Sequence, residues 1–122
     1  MFDPQQFARD WVAAWSRRDV DAVLAHYDDR AVFTSPKAQT IVGTARLADK
    51  AALEKYWRAA LERIPRITFE LQRSLWDDAS RTLIVLYLAD LAGNRSHGCE
   101  VMRFSERDLV VEGEAFYGAV EG

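Results

Sequence analysis

Cysteine occurs once in these 122 residues, at Cys99, so no disulfide can form within the chain and no cysteine cluster has the spacing of a zinc site. Histidine occurs twice, at His26 and His97, without metal-ligand spacing, and neither a metal nor a cofactor is expected. Basic residues do not prevail: Lys and Arg number 16 against 19 Asp and Glu, a formal net charge of −3. The basic and aromatic positions form no dense stripe of the kind a polyphosphate requires, which disfavours nucleic acid as a partner. No run of about 18 apolar residues occurs, and Met1-Phe2-Asp3-Pro4-Gln5-Gln6 carries no basic stretch ahead of an apolar one. A cytoplasmic chain with no membrane partner is the expectation. Internal repeats, low-complexity stretches and linkers are also missing, so residues 1–122 are read as a single domain.

What the chain does hold is apolar mass, 49% hydrophobic against 29% charged residues, enough to offset the entropy of ordering. Asp3-Pro4 opens a helix: Asp3 caps, Pro4 suits the first helical position, and Gln6 is placed to complete a capping box. Phe7, Trp11, Ala14 and Trp15 then recur at helical spacing as one buried stripe. Asp19 is placed to cap a second helix burying Val20, Val23, Leu24 and Tyr27 and ending near Asp28-Asp29. Ala31 to Thr34 reads as a brief strand stopped by Ser35-Pro36, followed by a loop to Gly43. A third helix from Asp49 carries Leu53, Tyr56, Trp57, Ala60, Leu61 and Ile64 inward until Pro65 ends it.

Beyond Pro65 the period changes to two. Ile67, Phe69 and Leu71 alternate with polar residues, and Thr82 to Leu88 is apolar on both faces and therefore central. Gly93-Asn94 and Ser105 to Asp108 mark turns that bound strands at Cys99 to Phe104 and Leu109 to Tyr117. Helices first and hairpin-linked strands later give an α+β class: a cone-shaped roll, three N-terminal helices packed on a curved, mainly antiparallel sheet enclosing a pocket. Trp11, Trp15, Tyr27, Phe33, Tyr56, Trp57, Phe69, Tyr87, Phe104, Phe116 and Tyr117 are a heavy aromatic load for so small a core. Each can fill the interior or line the pocket, and the residue types do not decide which.

The order of elements and several local strings resemble the nuclear-transport-factor-2-like superfamily, in particular its SnoaL-like branch, whose relatives include polyketide cyclases and ketosteroid isomerase. The strings are Trp11-Val12-Ala13-Ala14-Trp15, Asp19-Val20-Asp21, His26-Tyr27-Asp28-Asp29 and Ala31-Val32-Phe33-Thr34-Ser35-Pro36, then Tyr56-Trp57, Glu100-Val101-Met102-Arg103-Phe104 and Ala115-Phe116-Tyr117-Gly118. The resemblance implies a fold, not an activity. Three isomerase positions map to Ser35, Trp11 and Glu100, where the isomerase has a carboxylate base, a donating tyrosine and an aspartic acid kept protonated. Serine is no base near neutral pH and indole is a weaker donor than phenol, so only Glu100 keeps its chemistry and steroid isomerisation itself is not expected.

From the resemblance, the ligand-binding candidates are Trp11, Trp15, Tyr27, Phe33, Ser35, Tyr56, Trp57, Phe69, Tyr87, Ala115 and Tyr117, with Glu100 as the candidate catalytic group and a small hydrophobic molecule as the partner. A Glu100 that faces the cavity has its pKa raised by desolvation; one that does not is exposed or paired with Arg73, Arg95 or Arg103. Strand alternation puts Cys99 and His97 on the other face. His26 competes between a helix-capping and a pocket role. Three functions stand open: an isomerase- or cyclase-like enzyme, a non-catalytic binder, and a scaffold that forms a homodimer through its outer sheet face.

Overall fold

Asp3 begins the first element of the computed structural model, which describes residues 1–120. Its carboxylate accepts from the Gln5 and Gln6 amides and Pro4 occupies the first turn of α1 (Pro4–Ser16). The capping box does not close, because the Gln6 side chain turns along the helix to Asp10 and Arg9 instead. Phe7, Ala8, Trp11, Ala14 and Trp15 are the buried stripe. A tight corner with Arg18 at φ 61° leads to Asp19, which caps α2 (Val20–Leu24), and the Arg18 guanidinium donates to the carbonyls of Leu61 and Ile64.

The second helix is shorter than its sequence implies. After Leu24 the His26 carbonyl accepts from the Val110 amide, and Tyr27, expected on the helix, starts β1 (Tyr27–Thr34). Sheet pairing with a distant strand overrides local helical spacing here. A second correction follows at Ser35-Pro36, where the expected loop is a fourth helix, α3 (Pro36–Val42). The two residues that stop the strand also start the helix: Ser35 Oγ accepts from the Lys37 amide, Pro36 holds the first helical φ, and Gly43 at φ 87° ends the segment. The short β2 (Arg46–Leu47) pairs with β1, and Asp49 caps α4 (Lys50–Arg63).

Four long strands complete the chain: β3 (Ile67–Asp77), β4 (Thr82–Leu91), β5 (Asn94–Phe104) and β6 (Val110–Val120). The β4–β5 hairpin turns on Ala92 and Gly93, φ 54° and 96°, one residue earlier than Gly93-Asn94. The sheet order is β2-β1-β6-β5-β4-β3, antiparallel throughout except for β1 beside β6. Register shifts at Leu71/Arg73 in β3 and at Arg103/Phe104 against β6 add local twist. The curved sheet carries α1 against β3 and β4 and α4 against β1, so both helices cover one face. The α+β class and the mainly antiparallel, curved sheet are as expected; the helices among the described residues number four, not three.

Candidate functional site

On β5, alternation turns Gly98, Glu100 and Met102 inward and leaves Cys99 half-buried on the other face. Glu100 is 6% exposed. One carboxyl oxygen, Oε2, lies 3.4 Å from the Tyr87 hydroxyl, and Oε1 is buried with no hydrogen-bond partner. Burial pushes its pKa up to about 8, against which the Tyr87 hydroxyl and the Lys37 charge pull only in part. Arg73, Arg95 and Arg103 make no ion pair with it among the described residues; Arg103 pairs with Glu112. The same burial, together with the nearby Glu100 charge, raises the pKa of Cys99.

Tyr87 reaches Glu100 by lying over Gly98. A Cβ added at Gly98 would stand 2.4 Å from Cζ of Tyr87 and 2.7 Å from its hydroxyl oxygen, so the missing side chain is what lets the phenol cross β5. Phe69 stacks on the other side of the Tyr87 ring at 4.4 Å, and Trp11 meets it edge-on at 5.3 Å.

A second polar group forms where β1, α4 and β6 converge. Ser35 Oγ, fully buried, lies 3.3 Å from both the Tyr56 and the Tyr117 hydroxyls. Burial raises the pKa of both phenols, and the charge of Glu100 adds to it. Lys37, on α3, sets its ammonium 4.2 Å from the Tyr117 ring centroid; burial lowers its pKa and Glu100 pulls it back up.

These groups border a cavity of about 80 Å³. Eight of the sequence candidates line it: Glu100, Trp15, Phe33, Tyr56, Trp57, Phe69, Tyr87 and Tyr117. Four do not. Trp11 is packed behind Tyr87 and Phe69, Tyr27 points its hydroxyl at Met102 Sδ, 3.7 Å away, and Ser35 lies behind the two phenols it touches. Ala115 sits opposite Glu100 in the β5–β6 register and is buried without bordering the space. Of the three mapped isomerase positions, only Glu100 therefore borders the cavity. His26 packs edge-on against Phe7 at 4.9 Å, away from the lining, and burial lowers its pKa.

Lys37 and Ile41 were not foreseen because their helix reads as a loop; Ser35-Pro36 is the signal that finds it. Ala60, Leu61 and Ile64 were placed on the apolar face of α4, and no spacing rule distinguishes the end of a core stripe from a cavity wall. Among the described residues no His, Cys, Asp and Glu side chains gather as a metal-binding group, and no helix is long and apolar enough to cross a membrane.

The SnoaL-like domain family matches residues 8–113. The chain belongs to that family. A SnoaL-like protein of unknown function from Burkholderia thailandensis is 34% identical over 95% of both chains, with a TM-score of 0.82. A nuclear-transport-factor-2-like protein of unknown function from Burkholderia pseudomallei shares 17% identity over 97% of this chain and 92% of its own, at a TM-score of 0.79. A candidate ketosteroid isomerase from Kribbella flavida shares 15% over 98% of this chain and 80% of its own, at 0.74. These last two likenesses establish the fold of the SnoaL-like chain and nothing about its chemistry. No curated protein matches its sequence.

Proposed function

We propose that this SnoaL-like domain binds a small, mostly apolar carbonyl compound in its cavity and moves a proton on it, with Glu100 as the acid–base group. The observation that carries this reading is Glu100 Oε1, a buried carboxyl oxygen with no partner among the described residues, on a residue that lines the cavity. A buried polar atom left unpaired costs free energy, and a site for proton transfer gives that cost a purpose. A pKa of about 8 also suits the role, because an acid–base group works best when its pKa is near the operating pH. In the step proposed, ionised Glu100 takes a proton from the carbon beside a carbonyl. The C–H electron pair becomes the enolate double bond, the charge moves to the oxygen, and protonated Glu100 returns a proton to the same carbon or, where a second double bond is conjugated with the enolate, to the far end of that system.

At about 80 Å³ the cavity is smaller than the roughly 150 Å³ engineered cavity that holds benzene, so the ligand contemplated is far smaller than a steroid. Solvent deuterium uptake into 2-butanone tests the reading. Wild type is expected to catalyse the exchange and Glu100→Gln to lose it by about a hundredfold or more, with binding retained in a ligand-shift titration. Equal exchange in both removes Glu100 from the mechanism; binding without exchange in either makes the domain a binder.

The outer sheet face favours a second, compatible reading, a homodimer. Leu75, Ile84 and Val101 form one apolar row across β3, β4 and β5, and Leu86, Cys99 and Phe116 another across β4, β5 and β6. Leu75 is 43% and Phe116 47% exposed, at opposite ends of this apolar face, and an exposed apolar surface of that extent marks an interaction site. Light scattering after size exclusion decides: Phe116→Arg should halve the mass, and a monomeric wild type at high concentration ends the idea. The lone thiol on this face accords with the reducing, cytoplasmic setting proposed for the chain.

A further inference from the structure

The polar lining of the cavity is asymmetric in charge. Among the described lining residues, Lys37 is the one cation and Glu100 the one carboxyl. Lys37 stands beside the ring of Tyr117, and the hydroxyls of Tyr117 and Tyr56 both meet Ser35 Oγ.

A proton count shows what this cluster has to offer. Ser35 Oγ has two lone pairs and one hydrogen, and the Lys37 amide already uses one lone pair. One phenol can therefore donate to Ser35, and Ser35 can donate to the other. The second phenol keeps its own proton, free to turn to its neighbour or to an oxygen brought in from the cavity. The cluster thus presents one ammonium and one hydroxyl donor at a half-buried site, where charge-assisted hydrogen bonds are stronger than neutral ones. Two donors suit the two oxygens of a carboxylate; a phosphate, larger and doubly charged, would outrun both the donors and the 80 Å³ available.

We propose that Lys37, together with the Tyr56 and Tyr117 hydroxyls that Ser35 holds in place, receives the carboxylate of a small carboxylic acid. This rests on the reading of Glu100 as the acid–base group and narrows its substrate class to small carbonyl-bearing anions such as oxo acids. The buried Oε1, with no partner of its own, remains available to the same molecule.

Butyrate and butanamide, matched in shape and differing in charge, are the probes, titrated against the protein by chemical shift. Wild type is expected to prefer butyrate by about tenfold. Lys37→Gln should bring that ratio close to one, and Lys37→Arg should keep it, which separates charge from packing. Equal binding of the two probes by wild type, or a ratio unchanged in Lys37→Gln, overturns the proposal. The two readings fail separately. Glu100-dependent exchange of the neutral 2-butanone without any preference for butyrate discards the anion site and keeps the acid–base role. A Lys37-dependent preference without Glu100-dependent exchange does the reverse.

Discussion

Around Phe104 the rings of Phe2, Phe7 and Trp76 close on it at centroid separations of 4.9 to 5.9 Å, and Phe104 itself brings no polar atom that needs a partner. Around Glu100 the rings of Tyr87, Tyr56 and Tyr117 also crowd together, but each ends in a hydroxyl that must find a partner. The first region is packed for stability. The second holds a cavity, a carboxyl raised to about pKa 8 and a cation, and it keeps polar atoms buried at a cost that a purely structural core would avoid. One interior therefore divides into a part that holds the fold and a part that the fold is built to support, and the difference between Phe and Tyr draws the boundary.

The sharpest way to test that division is to truncate the solid end. Phe104 is 2% exposed, and Phe104→Ala should destabilise the domain by about 3–5 kcal/mol, the sum of lost burial and the hole left among rings. Urea unfolding measures this. A loss below about 1 kcal/mol would mean that the Phe104 end is no better packed than the other.

Next in size is a pH effect confined to the polar end. Glu100 has a folded pKa of about 8 against an ordinary 4.5, so the folded state holds the proton more tightly. Its contribution to stability is complete below pH 4.5, drains as pH rises, and is gone above 8, a loss of a few kcal/mol at about 1.4 kcal/mol per pKa unit. His26 works in the opposite sense, since burial lowers its pKa and its contribution is lost on acidification. Comparing wild type with Glu100→Gln cancels that term. The stability difference between the two should change steadily from pH 5 to 8 in favour of the variant, and parallel curves would show that Glu100 is not held as described.

Gly98 offers a smaller and more local perturbation. A methyl there would overlap the Tyr87 ring at 2.4 Å, so Gly98→Ala must displace the phenol from Glu100 at a cost of about 1–3 kcal/mol. Tyr87→Leu in the same background should recover part of that cost, because the obstructing ring is gone. If Gly98→Ala is neutral by urea unfolding, Tyr87 has another place to go and is not fixed by the missing side chain.

How much of this could be read beforehand follows the same boundary. Asp3-Pro4, Asp19 and Asp49 announce helix starts by local chemistry, and the alternation from Ile67 to Tyr117 announces a meander, because caps and periods are properties of neighbouring residues. Tyr27 reads as helical from its spacing because the start of its strand is fixed by pairing with β6, more than eighty residues away. Glu100 was found through the string around it, and alternation then gave its face. Lys37, the cation of the cavity, is hidden from a sequence reading because Ser35-Pro36 reads first as the end of a strand and only in the fold as the start of a helix. Trp11 and Tyr27 were counted with the lining although they lie behind it; which side of a ring meets a void depends on three-dimensional packing that no period encodes.

The smallest effect asks whether the hydroxyls at the polar end form one unit. Tyr56→Phe keeps the ring and removes one 3.3 Å contact to Ser35, which should cost about 1 kcal/mol, well under the loss expected at Phe104. Tyr117→Phe removes the other contact, from a residue 37% exposed, and should cost less. Either change alone leaves Ser35 one phenol; the two together leave its buried oxygen with only the Lys37 amide. The double variant should therefore lose more than the sum of the singles, by roughly 0.5 kcal/mol or more in a double-mutant cycle. Strict additivity would mean that the three hydroxyls act separately, and the polar end would then differ from the Phe104 end only in composition, not in being wired together.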